Sequence, residues 1–140
     1  MSRIQLAINV KDVDESVAFY SKLLGVEPAK RRPGYANFAV VEPPLKLVLI
    51  ENANEAGSLN HLGIEVQTSA EVADAEQRLQ DRGLETQPEN QVTCCYAKQD
   101  KVWTTDPNGA AWEIYTVLED AETFNRTQAN PLTPVCGACC

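Results

Sequence analysis

Two stretches of the chain alternate apolar and other residues in the same order. Gln5-Leu6-Ala7-Ile8-Asn9-Val10 and His61-Leu62-Gly63-Ile64-Glu65-Val66 are offset by 56 positions (5 against 61). A period of two is that of a strand with one face packed. Leu6, Ile8 and Val10 are therefore expected to face a core, as are Leu62, Ile64 and Val66, which leaves Gln5 and His61 at equivalent places on the opposite face. After each stretch the period becomes helical. Asp12-x-x-Glu15 and Thr68-x-x-Glu71 have the spacing of a capping box. Val13, Val17, Tyr20 and Leu24 then form one stripe ending at Gly25, and Val72, Ala75 and Leu79 form another ending at Gly83.

Each predicted helix leads into further strand-like sequence. Residues 35–41 and 45–50 are β-rich around Glu42-Pro43-Pro44, and 101–105 and 111–117 flank the turn signal Asp106-Pro107-Asn108-Gly109. The pattern predicts an α+β fold of two βαβββ modules, residues 1–52 and 58–118, within a single domain of 1–118. Residues 119–140, polar and carrying Pro131 and Pro134, are expected to be a mobile tail.

Composition narrows the function. The 140 residues carry a net charge of −8, a field that repels phosphate backbones and anionic lipid, so neither nucleic acid nor membrane is an expected partner. There is no apolar run near the roughly 20 residues that span a bilayer, and no secretory signal opens the chain. A cytoplasmic protein is expected. The five cysteines are Cys94, Cys95, Cys136, Cys139 and Cys140. An odd number in a reducing compartment points to soft-ion or redox chemistry rather than to disulfide staples.

His61 is the only histidine, and alone it would carry little weight. Glu113, between Trp112 and Ile114, falls by alternation on the face of Tyr115 and Val117. If the modules pair into one curved sheet, Gln5, His61 and Glu113 converge from three strands. A carboxylate, an imidazole and an amide oxygen suit Fe(II), Mn(II), Ni(II) or Zn(II).

With these strand starts, Phe19-Tyr20 in the first helix and Asp106-Pro107-Asn108-Gly109 before Trp112-Glu113-Ile114, residues 1–118 resemble the vicinal oxygen chelate superfamily (glyoxalases, bleomycin-resistance proteins and extradiol dioxygenases). The resemblance implies paired βαβββ modules closing a cup-shaped mixed sheet around a divalent metal, with Gln5, His61 and Glu113 as its ligands. The strand at 45–50, where four-ligand members place another ligand, has no carboxylate or imidazole, so three ligands and exchangeable positions are expected.

The pair Cys94-Cys95 lies after Pro88-Glu89-Asn90-Gln91 and before the polar run 97–100, which places it in a loop between strands. Such a loop would be flexible enough for two thiolates to clasp a thiophilic centre. Lys98 and Lys101 would favour the thiolates if they turn toward the sulfurs. Together with Arg32-Pro33-Gly34-Tyr35-Ala36-Asn37-Phe38 and Pro43-Pro44-Leu45-Lys46-Leu47-Val48-Leu49, the pair resembles the carbon–arsenic lyases, which are Fe(II)- and oxygen-dependent enzymes of arsenic resistance related to cadmium-induced proteins. This resemblance implies a trivalent organoarsenical substrate, methyl or aromatic, bound by Cys94 and Cys95. Fe(II) would be the cofactor, with Ni(II), Co(II), Mn(II) or Zn(II) able to occupy its site. Dioxygen would be the co-substrate and arsenite a product. Cys136, Cys139 and Cys140 would be accessory thiols. A glyoxalase-like isomerase and a non-catalytic Cd(II)- or As(III)-sequestering protein are the alternatives, and monomer and homodimer both remain open.

Overall fold

The computed structural model describes residues 2–122. Eight strands form one continuous sheet in the order β2-β3-β4-β1-β5-β8-β7-β6. The first module comprises β1 (Arg3–Val10), α1 (Val13–Leu24), β2 (Lys30–Arg32), β3 (Tyr35–Val40) and β4 (Leu45–Glu51). The second comprises β5 (Leu59–Glu65), α2 (Ser69–Asp81), β6 (Gln87–Cys94), β7 (Ala97–Thr105) and β8 (Ala111–Asp120). The two βαβββ modules meet where β1 pairs antiparallel with β5, and within each module the first and last strands pair in parallel. All eight strands come from one chain, so the cup needs no strand from a partner.

Both helices start and stop where the sequence signals them. Asp12 accepts from the Glu15 amide, while Thr68 and Glu71 form a complete reciprocal box. Gly25 closes α1 in the left-handed region, at φ 72°, with its amide on the Ser21 carbonyl. The helices lie against one face of the sheet. Val13 and Val17 pack with Val10, Ala36, Phe38, Val40, Leu47 and Leu49, joined by the half-buried Leu6, Ile8, Tyr20 and Leu24. Val72, Ala75 and Leu79 pack with Val102 and Ile114, joined by Ile64 and Val66. Strand alternation sends the other side chains into the cup.

Four expectations change. Lys30–Arg32 is a short edge strand that its three charged residues conceal. His61 is the third residue of β5, not its first, as Gln5 is the third of β1. The polar run 97–100 belongs to β7, and β8 continues through Glu119 and Asp120, which the sequence pattern put in the tail. Finally, Cys94-Cys95 is not a flexible loop. Cys94 ends β6 opposite Ala97, and Cys95-Tyr96 is a two-residue turn with φ of 53° and 62°. Positive φ at both turn positions marks the hairpin turn whose twist matches its strands, a place usually held by Asn-Gly. Pro88 is tolerated in β6 because that strand is the sheet's edge. Residues 123–140, including Cys136, Cys139 and Cys140, lie outside the described residues.

Candidate active site

Gln5, His61 and Glu113 meet on the concave face, all three buried. His61 Nε2 is 2.6 Å from Glu113 Oε2 and 3.3 Å from Gln5 Nε2, and Gln5 Nε2 donates to Glu113 Oε2 at 3.4 Å. The sheet register explains the meeting. Gly63 pairs with both Gln5 and Glu113, and Ala7 pairs with His61. A Cβ at Gly63 would lie 3.0 Å from Glu113 Cγ and 3.3 Å from Gln5 Nε2, so the site depends on there being no side chain at that position. Among the described residues no third His, Cys, Asp or Glu joins His61 and Glu113 in a metal-binding group, and Gln5 takes the third place.

The tautomer of His61 follows from a chain of hydrogen bonds. The Glu55 carbonyl can only accept, so the Ser58 hydroxyl donates to it at 2.5 Å. Ser58 Oγ then accepts from Asn9 Nδ2 (2.9 Å), and Asn9 Oδ1 accepts from Asn60 Nδ2 (3.0 Å). That leaves Asn60 Oδ1 to accept from His61 Nδ1 at 2.6 Å. With its proton on Nδ1, the neutral imidazole presents the Nε2 lone pair to the Glu113 carboxylate. Two lone-pair atoms 2.6 Å apart repel unless a positive charge joins them, and either a proton or a metal cation meets that need.

The carboxylate remains ionised. Burial, the largest single influence, pushes the Glu113 pKa up, but the charges and hydrogen bonds of Lys101 and His61 outweigh it and bring the pKa down to about 2. Lys101 Nζ lies 3.0 Å from Glu113 Oε1, leaving Oε2 toward His61. Lys101 is itself buried, above the rings of Trp103 and Tyr115. Tyr115 OH donates to Gln5 Oε1 at 2.5 Å. For Gln5 to ligate through oxygen its amide must turn by half a turn, which would bring Nε2 to Tyr115, whose hydroxyl can accept as well as donate. The donor set therefore fits a divalent cation.

The roles of Lys101, Tyr115 and Asn60 around the Gln–His–Glu set were missed by sequence reasoning. Alternation along 97, 99, 101 and 103 could have placed Lys101 inside, had β7 been recognised from Ala97. The side-chain directions of Lys98 and Lys101, open in the sequence, are set by carboxylates: Lys98 pairs with Glu119 and Lys101 with Glu113.

Both Cys94 and Cys95 are buried, with their sulfurs 3.6 Å apart. That separation is well beyond an S–S bond, so the two are not joined to each other. They pack in a cluster with Ala7, Tyr35, Val48 and Ile50 of the first module. The turn is tied down from several sides: Lys30 Nζ and the Ala121 amide both donate to the Tyr96 carbonyl, and Arg32 sits over the Tyr96 ring. Beneath it a cavity of about 310 Å³ is lined by Cys95, Gln5, Lys101 and Glu113 among others, large enough for a small ligand. The strand at 45–50 lines this space with Lys46, while Val48 lies in the cysteine cluster. Ala7 pairs with Val48 as Gly63 pairs with Glu113, so Val48 holds the place equivalent to Glu113 and offers no ligand.

Comparison with known proteins agrees with this architecture. The family model described as "Glyoxalase/Bleomycin resistance protein/Dioxygenase superfamily" matches residues 3–114. A trivalent organoarsenical cleaving enzyme of Thermomonospora curvata is 55% identical over 141 residues, covering 100% of this chain and 89% of its own length. The cadmium-induced protein CadI of Mycobacterium tuberculosis is 58% identical over 124 residues, covering 89% of this chain and 82% of its own. Two solved structures share the fold at low identity. An extradiol ring-cleaving dioxygenase from B. fuscum has a TM-score of 0.62 and 21% identity, over 90% of this chain and 34% of that one. The Mn(II)-bound glyoxalase from Novosphingobium aromaticivorans has a TM-score of 0.59 and 19% identity, over 93% and 44%. By sequence and by fold, the chain belongs to the glyoxalase/bleomycin resistance protein/dioxygenase superfamily.

Proposed function

We propose that this chain is a cytoplasmic enzyme that cleaves the carbon–arsenic bond of trivalent organoarsenicals and releases arsenite. The observation that carries the reading is a cavity lined by Cys95, Gln5 and Glu113 together, with Cys94 beside Cys95 and His61 against Glu113. The similarity to an organoarsenical cleaving enzyme over the whole chain supports it.

In their reduced form Cys94 and Cys95 bind one As(III): each As–S bond forms as the S–H proton joins a departing As–OH hydroxyl and leaves as water. Two bonds from adjacent residues fix the arsenic and restrict its organic arm, so that the scissile bond is presented to the cavity floor in one orientation. Gln5, His61 and Glu113 would hold Fe(II), which would supply the redox centre for dioxygen chemistry at the carbon–arsenic bond. Asn60 keeps the His61 lone pair on Nε2, Lys101 keeps Glu113 anionic, and Tyr115 steadies Gln5. The packing of the cysteine turn on Tyr35, Val48 and Ile50 limits water above the site. Dioxygen is the oxidant, and an oxidised organic fragment leaves with the arsenite.

The test is to incubate Fe(II)-loaded protein with a trivalent methyl or phenyl arsenical in air and under nitrogen, with the arsenic then speciated. Arsenite is expected only in air. Tight binding without arsenite in either atmosphere would overturn cleavage and leave sequestration by the thiols.

A further inference from the structure

Four cations line the cavity, and three have found their anion. Arg3 holds Glu65 through two bonds of 2.7 and 3.2 Å, Lys30 holds Asp120 at 2.7 Å, and Lys101 holds Glu113 at 3.0 Å. Lys46 has neither an ion pair nor a hydrogen bond among the described residues, and its ammonium rests 5.3 Å from the centre of the Tyr115 ring. The cavity wall therefore carries one positive charge more than it neutralises, in a chain whose net charge is −8. Burial, as the main cause, lowers the Lys46 pKa, as expected of an ammonium drawn out of bulk water without a counter-ion.

The position of Lys46 suits a substrate held by the cysteines. Ile50, Val48 and Lys46 succeed one another on the concave face of β4. Ile50 and Val48 belong to the cysteine cluster, and Lys46 pairs with Gln5. Two residues of strand advance about 7 Å, so Lys46 lies one step beyond the cysteine end of the cavity, beside the Gln5 edge of the floor. That step is comparable to the span of an aryl ring. Taking the organoarsenical reading as its basis, we propose that Lys46 is a specificity-determining residue that pairs with an anionic substituent on the organic arm of the substrate, so that the favoured substrates are aryl arsenicals bearing a carboxylate or an acidic phenolate remote from arsenic. A methyl arsenical reaches the floor but gains nothing from Lys46. Such a pair, formed in a partly desolvated cavity, discriminates far more than one on an open surface.

The test compares 4-carboxyphenyl with 4-methylphenyl arsonous acid, two probes of similar shape and different charge. Equilibrium binding to the Fe(II)-loaded chain is measured without oxygen, and arsenite release is measured in air. The wild-type chain is expected to bind the carboxylate about tenfold or more tightly than the methyl compound. Lys46→Gln should bring that ratio near one by weakening the carboxylate alone, while Lys46→Arg should keep most of it. The preference should also shrink as salt is raised. The assignment is overturned if the wild type shows no preference, or if Lys46→Gln leaves the ratio unchanged or weakens both compounds alike. Arsenite release failing for both compounds with the binding ratio intact would remove only the cleavage reading, whereas failure of both to bind would remove the two together.

Discussion

The two modules share one backbone plan, but the central pairs on their concave faces differ in chemistry. Ala7 pairs with Val48 and Val48 with Asn37 in the first, where Gly63 pairs with Glu113 and Glu113 with Trp103 in the second. One strand position further out, Ile50 and Tyr35 stand where the second module has Tyr115 and Lys101. The hairpins differ too. The first turns through Pro33-Gly34 after a three-residue strand, and the second turns through Cys95-Tyr96 after an eight-residue one. The longer arm carries its cysteines onto the apolar wall of the first module. Duplication thus supplies two similar walls, and divergence gives one an apolar seat for the cysteine pair and the other the buried carboxylate of Glu113. Gln5 is the first module's contribution to the Gln–His–Glu set.

The sharpest break in this comparison is at the ligand-bearing positions. His61→Ala leaves Glu113 without its imidazole, and neither Val48 nor any neighbour in the first module offers a replacement. Arsenite release should fall by ~1,000-fold or more, with iron content dropping alongside it. Full iron with lost turnover would show that His61 does not hold the metal.

Acid should separate the modules next. In the metal-free chain Glu113 has a pKa of about 2 against an ordinary 4.5. A depressed carboxylate stabilises the fold fully above its unfolded pKa, and the contribution is lost as pH falls through the folded value. About 3 kcal/mol should therefore disappear between roughly pH 4.5 and 2. Val48 does not titrate, so amide exchange should quicken in β7 and β8 before β3 and β4. Equal loss of protection in both modules would contradict a buried titrating carboxylate confined to the second.

Asn60 tests a finer difference, since position 4, its counterpart at the same offset, is the exposed Ile4. Asn60→Ala removes the acceptor that fixes the His61 tautomer. Metal affinity should weaken about 10- to 100-fold with little change in thermal stability. Unchanged affinity would mean that the tautomer is set elsewhere.

How much of this was legible in the sequence depended on whether the signal was local. The repeat, both helices and the faces of Gln5, His61 and Glu113 follow from periodicity, because burial on one side of a strand or helix leaves its mark every two or every three to four residues. The run 97–100 hid β7 because both of its faces carry polar groups, and Gln99 is buried despite its polarity. Asn60 and Tyr115 gave no signal, since their partners, Asn9 and Gln5, come from a different strand. The cysteine turn looked like a loop because Cys-Tyr lacks the residues that ordinarily accept positive φ. Its conformation is imposed by what packs around it.

The smallest effect, and the most direct comparison of the two walls, comes from one methyl group. Gly63 and Ala7 are counterparts at the same offset, and each lies beside its module's central pair. Gly63→Ala would bring a Cβ to 3.0 Å from Glu113 Cγ and 3.2 Å from the Glu113 carbonyl, where a strand backbone cannot easily give way. A cost of about 1–3 kcal/mol is expected, together with weaker metal binding because Glu113 and Gln5 are both displaced. Ala7→Gly removes a buried methyl from the apolar seat and loosens the strand, costing ~1 kcal/mol with metal binding unchanged. Chemical denaturation and a metal titration of both variants check the pair. If Gly63→Ala binds metal as tightly as Ala7→Gly does, the second wall is not built around the close approach of its carboxylate, and the division between seat and floor fails at its narrowest point.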